Sequence, residues 1–250
     1  MIHTTNEEDV NVMGGSNLPG GRYRRINAMG DVRMDGDIRC LSMNCMGDAT
    51  VVGSFQGQKT NVMGEMEFRG PVDAGILNVM GEAKCLSGLR ARTANCMGEV
   101  EVVGTLNADR LNIFGELRVT GDCNVDRFDS RGGFRIDGLL SGDQLRIVPW
   151  HQCHAAEVGG SRIEVCRRRG FLGVLLVWDS LMSAVGLGRD RGLLEVESIE
   201  GDEVLLENTT AQVVRGKRVR IGTGCRIGRV EHGGDFASHP SAQIGEVAII

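Results

Sequence analysis

One short motif recurs at a fixed step. Asn-x-Met-Gly begins at Asn27, Asn44, Asn61, Asn78 and Asn95, then relaxes to Asn112-Ile-Phe-Gly and Asp129-Ser-Arg-Gly, always seventeen residues on. A step that never varies over seven copies requires each copy to build the same unit and to stack on its neighbours. Such a chain folds as a repeat protein and not around one central core.

Numbered from its Asn, each repeat carries apolar residues at positions 2, 6, 8, 12, 14 and 17, with glycine at 4 and usually at 10. In the unit 95–111 these are Cys96, Val100, Val102, Leu106, Ala108 and Leu111, with Gly98 and Gly104. Positions 6/8, 12/14 and 17/2 are period-2 pairs, each a short strand with one face inward. Glycines and polar stretches between the pairs turn the chain. Three strands and three corners in seventeen residues predict an all-β fold, a single-stranded parallel β-helix with triangular 17-residue coils. The spacing is not 3.6-periodic, and two glycines per coil weaken a helix further. Abundant Gly (37) and scarce aromatics (4%) suit tight corners around a narrow core.

Stacking sets like on like. Position 2 makes an inner ladder of Ala28, Cys45, Val62, Val79, Cys96, Ile113 and Ser130, and position 8 another from Met34 to Ile136. Coils complete one another's cores, leaving open sheet edges at the two ends of the stack. Outside, position 1 is an asparagine ladder whose amides can bond one another. Position 5 is acidic: Asp31, Asp48, Glu65, Glu82, Glu99 and Glu116, with Arg33, Lys84 and Arg118 two residues on, which reads as a solvated charged wall. Position 3 is Met29, Met46, Met63, Met80, Met97 and Phe114. Alternation turns this column outward, which a solvated wall does not need. Either the thioethers fold over the corner glycine, or the column receives another segment or a partner.

Strict spacing fails at both ends. Asn11-Val-Met-Gly14 stands sixteen residues before Asn27, and Ser16-Asn-Leu-Pro-Gly-Gly21 should interrupt any strand. Residues 1–21 therefore read as a lead-in or cap, and 22–148 as the regular β-helix of seven coils. Residues 149–231 read as two or three irregular coils, and 232–250 as a tail. Pairs such as Ile163/Val165, Leu194/Val196 and Val219/Ile221 support the continuation. An insertion at 167–192 opens with Arg167, Arg168 and Arg169, followed by Phe171, Leu172, Leu175, Leu176 and Trp178. A spanning helix needs about 20 apolar residues, and Asp179 lies inside this run. Three readings stay open: a helix on the protein's own wall, an interfacial membrane foot with arginines at anionic headgroups, or a partner surface.

Little points to catalysis. From Thr4 to Trp150 there is no histidine, whereas hexapeptide-repeat acyltransferases depend on a histidine base. His151-Gln-Cys153-His154 is weak metal spacing without a CxxC partner. No nucleophile stands beside a base and no phosphate loop is present, so no enzyme activity, metal or cofactor is expected. A net charge of −5 argues against a general nucleic-acid binder. The acidic, polar N-terminal stretch predicts no secretory signal. Five of the eight cysteines (Cys40, Cys45, Cys85, Cys96 and Cys123) occupy inward columns as small hydrophobes. Cys45 and Cys96 share a column but lie about 14 Å apart at the usual strand spacing, beyond disulfide reach. A reduced, cytoplasmic protein is expected.

The cadence Gly-x-hydrophobic-x-hydrophobic-x-Gly, as in Gly98-Glu-Val-Glu-Val-Val-Gly104 and Gly115-Glu-Leu-Arg-Val-Thr-Gly121, resembles that of the bactofilins, bacterial polymer-forming cytoskeletal proteins. The resemblance covers residues 22–148 well and 194–231 loosely, and it brings no catalytic motif. It implies a right-handed β-helix, filaments joined through helix ends without nucleotide, and membrane attachment through a short N-terminal apolar segment. This N-terminus is acidic and polar, leaving 171–187 as the substitute at the inner face of the membrane. The expected function is a scaffold that associates with itself, or with another bactofilin-like protein. The alternative is a non-polymerising module that docks a protein or membrane through the Met column or the insertion.

Overall fold

A computed structural model describes residues 8–166 and 192–250. Within them, nineteen strands, numbered β1–β19 in chain order, form one continuous parallel stack of about thirteen coils, with no helix. Each strand pairs with its counterpart one coil away, so the molecule is a parallel β-solenoid.

Inward positions 2 and 8 of the regular coils are buried as the periodicity requires. Ala28, Cys45, Val62, Val79, Cys96, Ile113 and Ser130 are all buried, as are Met34, Val51, Phe68, Cys85, Val102, Val119 and Ile136. The three apolar pairs of a coil lie on only two strands. β7 (Val72–Val79) carries Val72/Ala74 and Leu77/Val79, whereas β8 (Glu82–Cys85) carries Ala83/Cys85. Between Ala74 and Leu77 only Gly75 and Ile76 face outward, so the backbone bends through that corner while staying paired to its neighbours. The other two corners each hold three residues, Met80-Gly81-Glu82 and Leu86-Ser87-Gly88, and there the strands end, although backbone bonds such as Met80 N to Val62 O (2.8 Å) and Leu86 N to Phe68 O (2.8 Å) still tie each corner to the coil below.

From Gly47 onward the fourth-position glycine answers to its neighbour and not to its own dihedral angle, whereas Gly14 and Gly30 take a left-handed φ of 74° and 106°. A Cβ on Gly81, Gly98 or Gly115 would fall on the carbonyl oxygen of the same glycine one coil below. Stacked corners approach so closely that only hydrogen fits between them.

Both ends extend the solenoid further than periodicity indicated. β1 (Glu8–Met13) pairs in register with β2 (Ser16–Met29), Asn11 opposite Asn27 and Met13 opposite Met29. The stretch 8–21, expected as lead-in or cap, thus belongs to a coil with a sixteen-residue step, Asn11 to Asn27, and β2 runs straight through Pro19-Gly20-Gly21. Its offset to β3 (Val32–Cys45) changes from sixteen to seventeen between Pro19 and Gly21. The missing residue is therefore absorbed at one corner, where proline's fixed φ suits extended backbone.

Downstream, β15 (Gln152–Val165), β16 (Leu193–Leu206), β17 (Thr209–Ile221), β18 (Arg226–Ser238) and β19 (Gln243–Ile249) continue the stack. The stretch 232–250, expected as a tail, holds the end of β18 and the whole of β19 in parallel register. Residues 194–208 form a fifteen-residue coil, Leu194 standing opposite Thr209. Its corners hold two residues each: Glu197-Ser198, Asp202-Glu203 and Glu207-Asn208. Asn208 takes a left-handed φ of 47°, a conformation Asn tolerates better than most residues.

Candidate functional site

The most unusual surface is the position-3 column. Burial of its position-2 neighbours forces these side chains outward, and backbone bonds such as Met63 N to Cys45 O (2.9 Å) and Phe114 N to Cys96 O (2.7 Å) keep them in line. Met13, Met46, Met63, Met80, Met97 and Phe114 stand 44 to 69% exposed, while Met29 is half-buried. At about 4.8 Å per coil the ridge from Met13 to Phe114 is about 29 Å long. Met29 alone is half-buried; the other six side chains are exposed. Where the ridge ends, the guanidinium of Arg131 lies 5.6 Å from the Phe114 ring centroid, a cation–π contact.

Ordered polar columns flank the ridge. Asn27 Nδ2 donates to Asn11 Oδ1 at 2.7 Å, and the pattern repeats through Asn112 Nδ2 to Asn95 Oδ1 at 2.7 Å. The amide row braces one side of the ridge from coil to coil. On the other side the position-5 acids are partly neutralised within their wall, Lys84 to Glu82 at 2.7 Å and Arg118 to Glu99 at 3.2 Å.

The insertion leaves from the same corner. Cys166 N donates to Ile147 O at 2.9 Å, as Phe114 N donates to Cys96 O, so Cys166 stands in the position-3 column. The described chain resumes at Gly192, whose added Cβ would fall on the carbonyl of Pro149, and Leu193 then pairs with Gln152. Arg167, Arg168, Arg169, Phe171, Leu172, Leu175, Leu176 and Trp178 lie outside the described residues. Among the described residues no helix is long and apolar enough to cross a membrane.

Among the described residues, chemically reactive groups do not converge. Cys153 is buried with its thiol directed to the Gly132 carbonyl (3.5 Å), and burial pushes the thiol up to about 12. His151 is exposed and His154 half-buried beside it, on a shallow groove shared with Glu116, Arg118, Arg135 and Glu195. Burial likewise pushes Cys40, Cys85, Cys96 and Cys123 up to about 12, so these sulfurs stay protonated and unreactive. No group of three or more His, Cys, Asp or Glu side chains among the described residues is placed to hold a metal ion.

Sequence reasoning missed Met13, the first member of the ridge, although its own Asn11-Val-Met-Gly14 motif was the signal. It also missed a basic wall at positions 13, 15 and 16, whose residues change from coil to coil and leave no ladder to read.

Fold and surface together define a parallel β-solenoid repeat protein with an exposed apolar ridge. Part of the chain is similar to two Bacillus subtilis (strain 168) proteins. The uncharacterized protein YhbF is 39% identical over 110 residues, 44% of this chain and 40% of that protein. The uncharacterized protein YhbE is 36% identical over 108 residues, 43% of this chain and 41% of that protein. The chain thus spans about two fifths of the length of these curated relatives. No family model matches it, and no solved structure does.

Proposed function

We propose that this chain is a structural scaffold, similar to the bactofilins, that self-associates through the ends of its β-solenoid into oligomers or filaments without nucleotide. The state of the last coil carries this reading. Among the described residues β19 pairs only with β18, and Val247 and Ile249 stand 46% and 78% exposed. A parallel rung whose outer edge is unpaired and whose apolar side chains are uncovered is a template for another rung. At the opposite end, again among the described residues, β1 pairs only with β2. The reading is non-catalytic, and eight free cysteines favour a reducing, cytoplasmic compartment.

Negative-stain microscopy and sedimentation of the full chain test it. Wild-type protein forms rods longer than one molecule, and Val247→Glu with Ile249→Glu shortens them to monomers without changing the β-rich circular dichroism. Monodisperse wild-type monomers across a wide range of salt and concentration would overturn the proposal.

The exposed Met ridge favours a second reading, a binding module that docks a protein or a membrane surface along that corner. Met63→Asp with Met80→Asp distinguishes the two, because this variant keeps end-to-end assembly and loses only a ridge-bound partner.

A further inference from the structure

The solenoid's walls are electrically unlike. On the short-strand wall, positions 5 to 9, every cation of the central coils is already held by an acid of the same wall. Arg33 bonds Asp35 at 2.8 Å, Arg69 bonds Glu67 at 2.6 Å, Lys84 bonds Glu82 and Arg118 bonds Glu99. Asp31, Asp48, Glu65 and Glu101 remain on that wall with no ion pair among the described residues. The wall at positions 13 to 16 has the opposite balance, its cations outnumbering the exposed Asp73 and Asp109 that stand among them. Arg22, Arg39, Lys59, Arg90 and Arg92 are exposed there and make no ion pair among the described residues. Four of these five edge a shallow groove floored by Gly57, Ala74, Gly75 and Ala91. Solvent-facing apolar residues accompany the charges: Leu41 and Ile76 on the basic wall, Leu86 and Val103 on the acidic one.

We infer that the acidic wall of one copy docks against the basic wall of a second, joining solenoids side by side. Three features converge on a second copy as the occupant. The charges are complementary in balance, each wall offers two exposed apolar residues, and both walls carry their charges on one shared axial repeat. Because every coil advances by about 4.8 Å, aligning one Glu with one Arg brings the next rows toward alignment as well. Such a contact uses different patches on the two copies, so it adds molecules in an open series instead of closing a two-fold dimer.

Size decides how the contact behaves. Five coils of about 4.8 Å by a face of five residues at about 3.3 Å each give roughly 400 Å² per copy. That is about half of what a stable pair of this kind buries. Single molecules therefore pair weakly, and the contact becomes firm when many copies present their walls in one row. The lateral contact accordingly rests on the end-to-end reading above and converts single filaments into bundles.

Two triple variants of the full chain test it: Arg39→Glu, Arg90→Glu and Arg92→Glu on the basic wall, and Asp48→Lys, Glu65→Lys and Glu101→Lys on the acidic wall. All six positions face outward, and circular dichroism confirms the fold of each variant. Wild-type filaments should bundle to several times single width at about 10 mM salt and separate at about 1 M, where screening shrinks to about 3 Å. Either variant alone should stay at single width. An equimolar mixture should bundle again, because reversed walls complement each other. Single-width wild-type filaments at low salt, or a mixture that fails to bundle, overturns the lateral contact and leaves end-to-end assembly standing. Monomers throughout overturn both. Wild-type binding to anionic vesicles that the basic-wall variant loses, with bundling intact, assigns that wall to a lipid surface instead.

Discussion

The coils before Asp129 and those after Leu193 share one cross-section but hold together by different means. In the first set most ion pairs stay inside a coil, two residues apart, as in Arg33–Asp35, Arg69–Glu67 and Lys84–Glu82. Contact between coils relies on the core, the backbone ladder and the uncharged amide row. In the second set the amide row is gone and ion pairs cross between coils. Arg215 lies between Glu200 (3.2 Å) and Glu231 (2.7 Å), its register partners below and above. Arg162 reaches Glu203, Arg218 the same Glu203, and Arg229 reaches Glu246. The corners differ in step. Three-residue corners close over glycine in the first set, whereas a fifteen-residue coil turns on two residues per corner. A solenoid tolerates either solution because the inward pairs, and not the corners, set its cross-section.

Filling a corner of the first set should break it most severely. Gly98→Ala puts a methyl group onto the Gly81 carbonyl, which is backbone and cannot swing away. A loss of about 3 kcal/mol or more is expected in urea unfolding, within the range of steric overpacking and strain. Asn208→Gly, at a corner of the second set, should change stability by no more than a few tenths of a kcal/mol. Equal losses at the two sites would erase the distinction between the corners.

Removing one member of the amide row comes next. Asn78→Ala leaves Asn61 Oδ1 without its donor and Asn95 Nδ2 without its acceptor, all on half-buried side chains. Two orphaned groups cost about 1–3 kcal/mol, more than Arg215→Ala loses at a solvent-screened ion pair. Thermal melts of both variants at one salt concentration rank them directly.

Acid supplies the smallest and most local effect. The hydrogen bond from Arg215, with the charges of Arg215 and Arg229, holds the Glu231 carboxyl below its ordinary value. A depressed carboxyl adds stability above its unfolded pKa of about 4.3, and that stability is lost as pH falls through the lower folded value. Hydrogen exchange below about pH 4 should therefore speed up in β16–β18 before it does in β7–β11 (Val72–Ile113). Uniform loosening along the stack would show that cross-coil ion pairs do not distinguish the two regions.

Much of this was legible because stacking makes inward residues answer to one another. Val62, Val79 and Cys96 occupy one column with the same neighbours above and below, so period and burial are the same signal. Asn11 escaped because a single residue missing at the Pro19–Gly20 corner moves the motif out of step without moving its side chain. The fifteen-residue coils escaped for a related reason. Their inward pairs persist, but shortened corners and an inserted segment between Cys166 and Gly192 hide the period. Outward residues are legible only where they form a row, as Asn and Met do. Arg39, Gln56, Asp73 and Arg90 succeed one another in a single outward column with no common chemistry. A wall's charge emerges only when the columns are laid side by side.

The amide row also has a direction. Each Nδ2 donates to the Oδ1 of the preceding coil, from Asn27 onto Asn11 through to Asn112 onto Asn95. Seven side-chain dipoles thus point the same way, each polarising the next. The two termini of the row make opposite demands on any neighbour. Beyond Asn11 a carboxylate or an amide can prolong it, since only an acceptor is needed. Beyond Asn112 the newcomer must bring an N–H, and Asp129 has none to give; its Oδ1 lies 3.3 Å from Arg131 Nε without a hydrogen bond. Growth of the row is therefore one-way, and a single carboxylate marks where it stops.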